Sequence, residues 1–174
     1  MGSLIERTGK LLKNDEWMCN DILDLSTMPS GSIFINTFSN GSNFKTNIKA
    51  INNFDIVYGS IRPYFKKAGY ALDIDYIAGT VFSFNSKTKD DYLWILATIF
   101  SDKFHDFTNI NSQGTKMPII NWDTFCTYTL KYDKEVISQF NQEVEPLFNI
   151  AVNKQRQSRI LNKTKEILLK KYFS

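Results

Sequence analysis

Residues 54–71, FDIVYGSIRPYFKKAGYA, carry the clearest structural signal in the sequence. An apolar run ends at a glycine, Pro63 stiffens the corner that follows, and a second alternating segment, which carries Lys66 and Lys67, returns. This pattern predicts a β-strand, a turn and a returning strand. The segment also holds three cations within six residues, Arg62, Lys66 and Lys67. We therefore expect a hairpin with a concentrated positive charge.

Length and composition predict a folded chain with a substantial core. The 174 residues are 43% hydrophobic and include 14 Phe, 8 Tyr and 3 Trp, which suits one domain or slightly more. A charged fraction of 22% with a net charge of only +3 argues against disorder. The many aromatic side chains are the expected material of the core.

Cysteine and histidine content excludes several kinds of site. Cys19 and Cys126 are far apart and no Cys-x-x-Cys occurs, so the sequence predicts a reducing compartment and no disulfide framework. The single histidine, His105, leaves almost no material for a histidine metal site or a catalytic triad. No glycine-rich phosphate loop is present. We therefore expect no metal, no cofactor and no catalytic residue in this chain.

Hydropathy argues against a membrane protein. The longest apolar stretch, residues 92–100, is much shorter than the roughly 20 residues that a membrane helix needs. The N-terminus lacks the charged-then-apolar pattern of a signal peptide. The sequence therefore predicts a cytoplasmic protein without a membrane segment.

Charge and residue pattern divide the chain into two parts. Residues 1–130 have a net charge of −1 and mix short β-like runs with turn residues. Residues 131–174 have a net charge of +4 and read as helix throughout. We therefore predict an α+β fold, in which a small mixed β-sheet domain with one or two helices precedes a C-terminal helical region.

Several elements of the first part can be predicted from local pattern. Apolar runs bounded by turn residues predict a strand at residues 77–84 and final strands at 119–120 and 125–130. Residues 87–104 predict the clearest helix, because apolar residues recur on one of its faces. His105 follows this helix, where its side chain would cap the C-terminus.

The second part is predicted as a helical hairpin or a long coiled-coil-like helix. A short helix at residues 134–145 would precede a second helix that starts at Pro146, since a proline in the first turn loses no hydrogen bond. From residue 147 a seam with alternating steps of four and three is apolar at both ends and polar in the middle. The seam residues predicted to form a dimer interface are Leu147, Ala151, Leu161, Leu168 and Tyr172. The alternative is that this helix packs on its own domain.

The first part contains one concentrated basic patch. Its members are Lys45, Lys49, Arg62, Lys66 and Lys67. Such cations can bind DNA phosphates, and Arg62 can also reach a guanine edge. The alternatives are an ordinary solvated face, or a structural ion pair in which Arg62 holds the turn.

A polar loop at residues 109–118 offers a second set of candidate DNA contacts. Its amide, hydroxyl and amino groups suit adenine edges and phosphates, although many surface loops are equally polar. The candidates are Asn111, Gln113, Thr115 and Lys116.

These residues carry a resemblance to a known family. Residues 54–71 resemble the core segment of target-recognition domains in the specificity subunits of type I restriction-modification systems. Further similar positions are Trp17, Gly114 to Lys116, Ile119, Asn121, Phe140, Val144, Pro146, Leu147 and the stretch 167–173. The chain departs from the family at Phe54, where a glycine is usual. The resemblance covers most of the chain.

The resemblance implies recognition of double-stranded DNA without chemistry. Whole specificity subunits carry two recognition domains and two spacer helices, whereas this chain has one of each. It would therefore be a half-subunit that acts as a homodimer, or a fragment of a longer subunit. Methyltransferase subunits, which bring S-adenosylmethionine and methylate adenine, would dock on it, and a restriction/translocase subunit would join them.

The sequence thus predicts a non-catalytic reader of half of a split DNA target, with a recognition domain at residues 1–130 and a spacer and dimerisation region at 131–174. A homodimer would present two identical readers and prefer a symmetric target. The low net charge predicts weak DNA binding by the chain alone. The alternative is an interaction protein that mimics a specificity subunit and sequesters methyltransferase without reading DNA.

Overall fold

The computed structural model describes residues 1–13, 15–45 and 47–173, and it confirms the predicted α+β fold. The described residues form nine strands: β1 (Ile5–Arg7), β2 (Lys10–Leu11), β3 (Asp21–Ile22), β4 (Ser39–Asn40), β5 (Ile48–Ala50), β6 (Ile56–Gly59), β7 (Ala68–Tyr70), β8 (Tyr76–Ala78) and β9 (Val81–Ser86). The helices are α1 (Tyr92–Phe100), α2 (Asp102–Ile110), α3 (Trp122–Cys126) and α4 (Lys134–Phe173).

The central sheet is antiparallel, with strand order β1-β9-β6-β7. Its inner strand β6 is buried on both faces, because successive side chains of a strand point in opposite directions. Ile56 and Tyr58 belong to the apolar cluster on the helical side, whereas Val57 belongs to the cluster on the other side. Residues 56–58 therefore join the two cores of the domain.

Aromatic rings fill the core between the central sheet and the short helices. Tyr58 meets Phe104 edge to face with ring centroids 5.7 Å apart, and Phe104 meets Phe125 in the same way at 5.1 Å. Phe84 of β9 lies 5.4 Å from Phe125. Edge-to-face pairs of this kind add about 0.5–1.5 kcal/mol each beyond the burial of their area. The expected use of the aromatic side chains is confirmed.

The opposite face of the central sheet is covered by two smaller sheets. Strands β2, β5 and β8 form an antiparallel sheet, and β3 pairs with β4. The cluster between them and β6 includes Leu23, Met28, Ile35 and Ile77, all buried. The connection between β3 and β4 thus contributes to the core although most of it has no regular structure.

The hairpin predicted from residues 54–71 is confirmed, with one correction. Strands β6 and β7 pair in antiparallel register, with Ile56 opposite Tyr70 and Tyr58 opposite Ala68. Lys66 and Lys67 were expected on the returning strand, but they lie in the connection before it. Lys66 has φ 50°, a left-handed conformation that ends the short 3-10 turn at residues 63–65 and is incompatible with a strand.

The helix predicted at residues 87–104 is instead two helices, α1 and α2, with a break at Ser101. Ser101 is extended (φ −70°, ψ 144°), and its hydroxyl accepts a hydrogen bond from the Phe104 backbone N–H at 3.2 Å. A serine in this position is a favourable N-cap, which satisfies a free donor of the second helix. His105 therefore lies in the first turns of α2, and the prediction that it caps a C-terminus is wrong.

Three strand predictions are also corrected. Residues 77–84 are divided between β8 and β9, which belong to different sheets and are joined by a turn at Gly79 and Thr80. Residues 119–120 contribute only isolated bridges, from Ile119 to Ile61 and to Gln113. The segment 125–130 begins in helix α3, because the Asn121 side chain caps that helix by accepting from the Thr124 N–H at 2.8 Å.

The C-terminal region is one continuous helix of 40 residues, α4, so the long-helix alternative is confirmed and the break at Pro146 is wrong. At about 1.5 Å per residue the helix is about 60 Å long. Ile137 and Val152, on either side of the proline, are both buried against the domain. Packing on both sides holds the two halves in line despite the hydrogen bond that a proline removes.

Helix α4 has two regions with different surroundings. Up to Arg159 one of its faces packs against the domain, whereas every residue from Ile160 to Phe173 is exposed. No helix in the described part of the chain is both long enough and apolar enough to cross a membrane.

Candidate nucleic-acid interface

The turn that follows β6 has a fixed backbone. Arg62 and Lys66 both have left-handed backbones, with φ 51° and 50°, and Pro63 between them fixes its own φ. The Arg62 N–H donates to the Pro118 carbonyl at 2.7 Å, and the Lys66 N–H donates to the Pro63 carbonyl at 2.9 Å. Left-handed non-glycine residues cost about 1–2 kcal/mol each, so the surrounding bonds must hold them. The turn is therefore rigid rather than a loose loop.

Two further loops lie beside this turn. Gln113 and Ile119 exchange backbone hydrogen bonds of 2.9 Å, which closes the loop between them, and Ile119 also bridges to Ile61. On the other side, the Ser60 hydroxyl donates to the Thr80 carbonyl at 2.7 Å. We call this continuous surface the loop edge; it consists of residues 60–67, 79–80 and 111–119.

Three of the five predicted phosphate-binding cations are occupied within the protein. Lys66 forms an ion pair with Asp102 at 2.6 Å, and this hydrogen bond raises the pKa of Lys66. The Lys67 amino group donates to the Leu25 carbonyl. Lys49 donates to the Gly79 carbonyl at 3.2 Å, and burial, followed by the charge of Arg7, lowers its pKa.

The other two members of the basic patch differ from each other. Lys45 is exposed in the loop before β5. Arg62 is half-buried, and its Nε has no hydrogen-bond partner within the described part of the chain. None of the described residues forms an ion pair with Arg62, so the structure does not support the alternative in which Arg62 holds the turn through such a pair.

The polar loop presents its predicted contacts to solvent. Asn111, Gln113, Thr115 and Lys116 are all exposed. Asn111 donates from its side chain to the Phe107 carbonyl at 2.8 Å, which leaves its amide oxygen available. Gly114, with φ 101°, adopts a conformation that other residues rarely reach and so allows the tight return of the loop. The loop edge thus displays amide, hydroxyl and amino groups on a fixed backbone.

Sequence reasoning missed the apolar side chains of the loop edge. Tyr64 and Phe65 are 47% and 42% exposed, with ring centroids 4.7 Å apart, and Met117 and Ile119 are exposed beside them. Aromatic rings can stack on bases or contact a thymine methyl group. The available signal was the pair of adjacent aromatic residues directly after Pro63, since both cannot turn into the core from a short turn.

His105 lies behind the loop edge rather than on it. Its ring is 3% exposed and stacks on Tyr58 with centroids 6.3 Å apart. Burial, followed by the charge of Lys66, lowers the pKa of His105 below its usual 6.5. Within the described residues no cluster of three His, Cys, Asp or Glu side chains could hold a metal ion. We therefore assign His105 to the core.

The predicted dimer residues on α4 are divided between two environments. Leu147, Leu161, Leu168 and Tyr172 are exposed, whereas Ala151 is partly buried on the side that faces the domain. Val152 belongs to the same apolar cluster as the central sheet. Packing on its own domain therefore describes the helix up to Arg159, and the exposed part of the seam remains free for a partner.

Two solved structures from type I restriction-modification (R-M) systems have a similar fold. The crystal structure of the HsdS subunit from Thermoanaerobacter tengcongensis matches with a TM-score of 0.65 and 17% identity, over 97% of this chain and 46% of that one. A structure titled for complex assembly and conformational transition of the type I R-M system matches with a TM-score of 0.62 and 16% identity, over 99% of this chain and 47% of that one. No protein-family model and no curated protein sequence matches significantly.

The predicted resemblance is therefore confirmed at the level of fold: this chain folds like an HsdS specificity subunit of a type I R-M system. It spans about half the length of the structures that it matches. At this low identity the likeness concerns the fold, and individual side chains must be argued from this structure alone.

Proposed function

We propose that this chain is a DNA sequence reader for a type I restriction-modification system and that it reads one half of a split target without catalytic chemistry. The observation that carries the proposal is the fold match to an HsdS subunit over 97% of the chain. The loop edge supports it independently, because a rigid backbone there presents hydrogen-bonding and aromatic side chains to solvent. Both features are expected of a surface that reads bases rather than one that only binds charge.

We assign direct DNA contacts to only some of the candidate residues. Gln113 can bond bidentately to an adenine edge, and Lys116 and Lys45 are exposed cations that can neutralise phosphates. Lys49, Lys66 and Lys67 hold neighbouring loops in place through their internal bonds. Their contribution to DNA binding would then be mainly indirect.

The exposed end of α4 supports a paired arrangement. A second copy could pack against the exposed part of α4, where Leu161, Leu168 and Tyr172 lie on the predicted seam. The homodimer would present two identical loop edges, which suits a symmetric split target. If the chain is part of a longer subunit, a second helix of that subunit would take the same place. Methyltransferase subunits carrying S-adenosylmethionine, and a restriction/translocase subunit, are the further partners of this proposal.

One observation favours a second candidate function. Three of the five cations in the basic patch already have hydrogen-bond partners within the chain. Fewer of them are therefore available to bind DNA phosphates. A protein that mimics a specificity subunit and sequesters methyltransferase would not need such charge. The two candidate functions differ in whether DNA binding by the assembled complex depends on the exposed side chains of the loop edge.

Assembly and DNA binding can be measured on the same variants to separate the two. Gln113→Ala with Lys116→Ala removes exposed groups of the loop edge and leaves the fold intact. For a reader, the complex with the methyltransferase subunit of the same system should form normally but bind its target at least about fivefold more weakly, since one bidentate base contact is worth about 1–3 kcal/mol. Lys163→Ala on the free part of α4 is the control. Unchanged DNA binding by the loop variant would contradict the contacts assigned to Gln113 and Lys116, and no DNA binding by any assembled complex would support the mimic.

A further inference from the structure

Helix α4 is attached to the domain by a group of directional polar contacts next to its free end. Gln155 is 4% exposed and uses both ends of its amide: it accepts from the Tyr70 hydroxyl at 2.6 Å and donates to the Ile35 carbonyl at 2.9 Å. A buried amide with both groups satisfied has one allowed position, because moving it leaves polar atoms unpaired. Gln155 therefore fixes the rotation of the helix as well as its contact.

The next residue adds a bidentate ion pair. Arg156 donates from Nε and from a terminal nitrogen to the two carboxylate oxygens of Asp73, each at 3.0 Å. This contact lowers the pKa of Asp73, with the hydrogen bond as the largest cause. Both side chains are partly exposed, so the pair contributes little to the free energy of unfolding. Its two parallel hydrogen bonds nevertheless fix the geometry of the contact.

Arg159 completes the attachment one turn after Gln155. Its guanidinium donates to the carbonyls of Leu72 and Ile35 and lies 5.0 Å above the ring of Phe38. Together the three helix residues contact the β7 end, the segment after it and the segment around Ile35. We call Gln155, Arg156, Arg159 and these partners the helix clamp.

The clamp lies at the base of the free arm. Residues 160–173 are exposed and extend about 21 Å beyond it as helix. A tilt of the helix axis by about 10° at the clamp would therefore displace the end of the arm by about 4 Å. The loop edge adjoins the turn end of the β6–β7 hairpin, where Gly59 bonds to Lys67, whereas Tyr70 of the clamp pairs with Ile56 at the other end of the hairpin. The paired strands of the hairpin thus connect the loop edge rigidly to the helix clamp.

We propose that the helix clamp sets the direction of the free arm relative to the loop edge and thereby the half-site spacing that a pair of readers accepts. The statement about half-site spacing, which we call the spacing part, rests on the proposed function. The statement about the direction of the arm, the orientation part, concerns this chain alone. Apolar packing such as that of Val152 tolerates small sliding, but the three polar side chains together do not. Gln155, Arg156 and Arg159 are positioning residues, since none of them reaches the loop edge.

The orientation can be measured by pulsed electron spin resonance on the whole chain. Spin labels at Lys116→Cys and Lys170→Cys, with Cys19 and Cys126 replaced by serine and labelled chains diluted in unlabelled ones, report the distance from loop edge to arm. We expect a narrow distance distribution in the parent and in the matched control Gln157→Leu, an exposed position of the same helix. Gln155→Leu with Arg159→Met keeps the side-chain volume and should broaden the distribution at least twofold. An unchanged width in a folded variant would overturn the proposal.

The ion pair provides a test that does not disturb the core. Asp73→Arg and Arg156→Asp should each broaden the distribution, and the two together should restore it, because the pair is reformed with reversed charges. Broadening without restoration by the double exchange would mean that the pair does not position the arm.

The spacing part is tested with duplexes that carry the two half-sites at separations varied by single base pairs, bound to the complex with methyltransferase subunits. The parent should prefer one separation by tenfold or more, and the clamp variants should bind neighbouring separations almost equally with the same half-site preference. A broadened arm with an unchanged spacing preference would contradict the spacing part. A parent complex that binds no duplex would contradict the proposed function, and the distance measurement would still decide the clamp.

Discussion

Phe54 shows how a single residue can depart from a family pattern while keeping its backbone. The related family usually has glycine there, and Phe54 has φ 66°, a left-handed conformation that suits glycine. The structure holds this conformation through a bond from the Phe54 N–H to the Ala71 carbonyl and one from the Tyr92 hydroxyl to the Phe54 carbonyl. The ring stacks on Tyr70 with centroids 6.2 Å apart. Phe54 therefore adds a packed aromatic ring, at the cost of a backbone conformation that glycine adopts more easily.

We predict that Phe54→Gly is more stable than Phe54→Ala by about 1 kcal/mol, although both variants are less stable than the parent by about 2–4 kcal/mol. Both lose the ring, so their difference reports the backbone alone. Urea denaturation measures both free energies of unfolding. At Lys89, an exposed residue whose φ is not positive, the same pair of changes should have the opposite order. Equal stability of the two Phe54 variants would contradict the assigned strain.

His105 predicts a pH dependence of stability. Burial lowers the pKa of His105 in the folded state, with Lys66 adding to the effect and Asp102 and Asp106 opposing it. The unfolded chain therefore binds the proton first, and the free energy of unfolding should fall as pH drops below about 6.5. His105→Gln, which cannot titrate, should give a flatter profile between about pH 7 and 5. A parent profile that is equally flat would contradict the burial of a neutral imidazole.

At the scale of elements, the turn at residues 60–67 differs most from its sequence appearance. Its sequence suggests a basic turn, yet Lys66 and Lys67 are bonded to Asp102 and to the Leu25 carbonyl, and the turn also exposes two aromatic rings. Those partners lie 36 and 42 residues away in the chain, so no local pattern could reveal them. We accordingly propose that Tyr64 and Phe65 make the contacts of this turn with DNA bases.

We predict that Tyr64→Ala with Phe65→Ala weakens DNA binding of the assembled complex by tenfold or more, since a ring stacked on a base contributes about 1–3 kcal/mol. Thermal unfolding should change little, because both rings are partly exposed. Met18→Ala, which removes a comparably exposed apolar side chain in another loop, should leave binding unchanged. Equal loss in both variants would show that the turn has no special role.

At the scale of the whole molecule, the sequence predicted the hairpin, the aromatic core and a long C-terminal helix, because period and composition determine them. It did not predict the break at Ser101, since the apolar pattern continues across it and only the serine cap interrupts the helix. Nor did it predict that α4 would run through Pro146, where packing at Ile137 and Val152 prevails over the local preference of proline. The DNA contacts of the polar loop remain predictions, and the structure shows that the side chains concerned are exposed.

The free arm of α4 predicts the state of association. The chain has a mass of 20.2 kDa, and a dimer through the arm should appear at about 40 kDa in light scattering. Leu161→Lys with Leu168→Lys places charges in the seam and should give a species near 20 kDa, whereas Lys163→Glu should remain dimeric. A parent monomer would indicate that the partner helix belongs to another segment or subunit.

The central claim, that this chain reads DNA sequence, is tested most directly by mapping methylated adenine in the genome of a host that expresses it with the methyltransferase subunit of its own system. The account predicts methylation at one split motif, symmetric if the chain acts as a homodimer. The motif should disappear when the chain is omitted and weaken when Gln113 and Lys116 are replaced by alanine. A methylation pattern that is the same with and without this chain, in cells where the two proteins co-purify, would contradict the account.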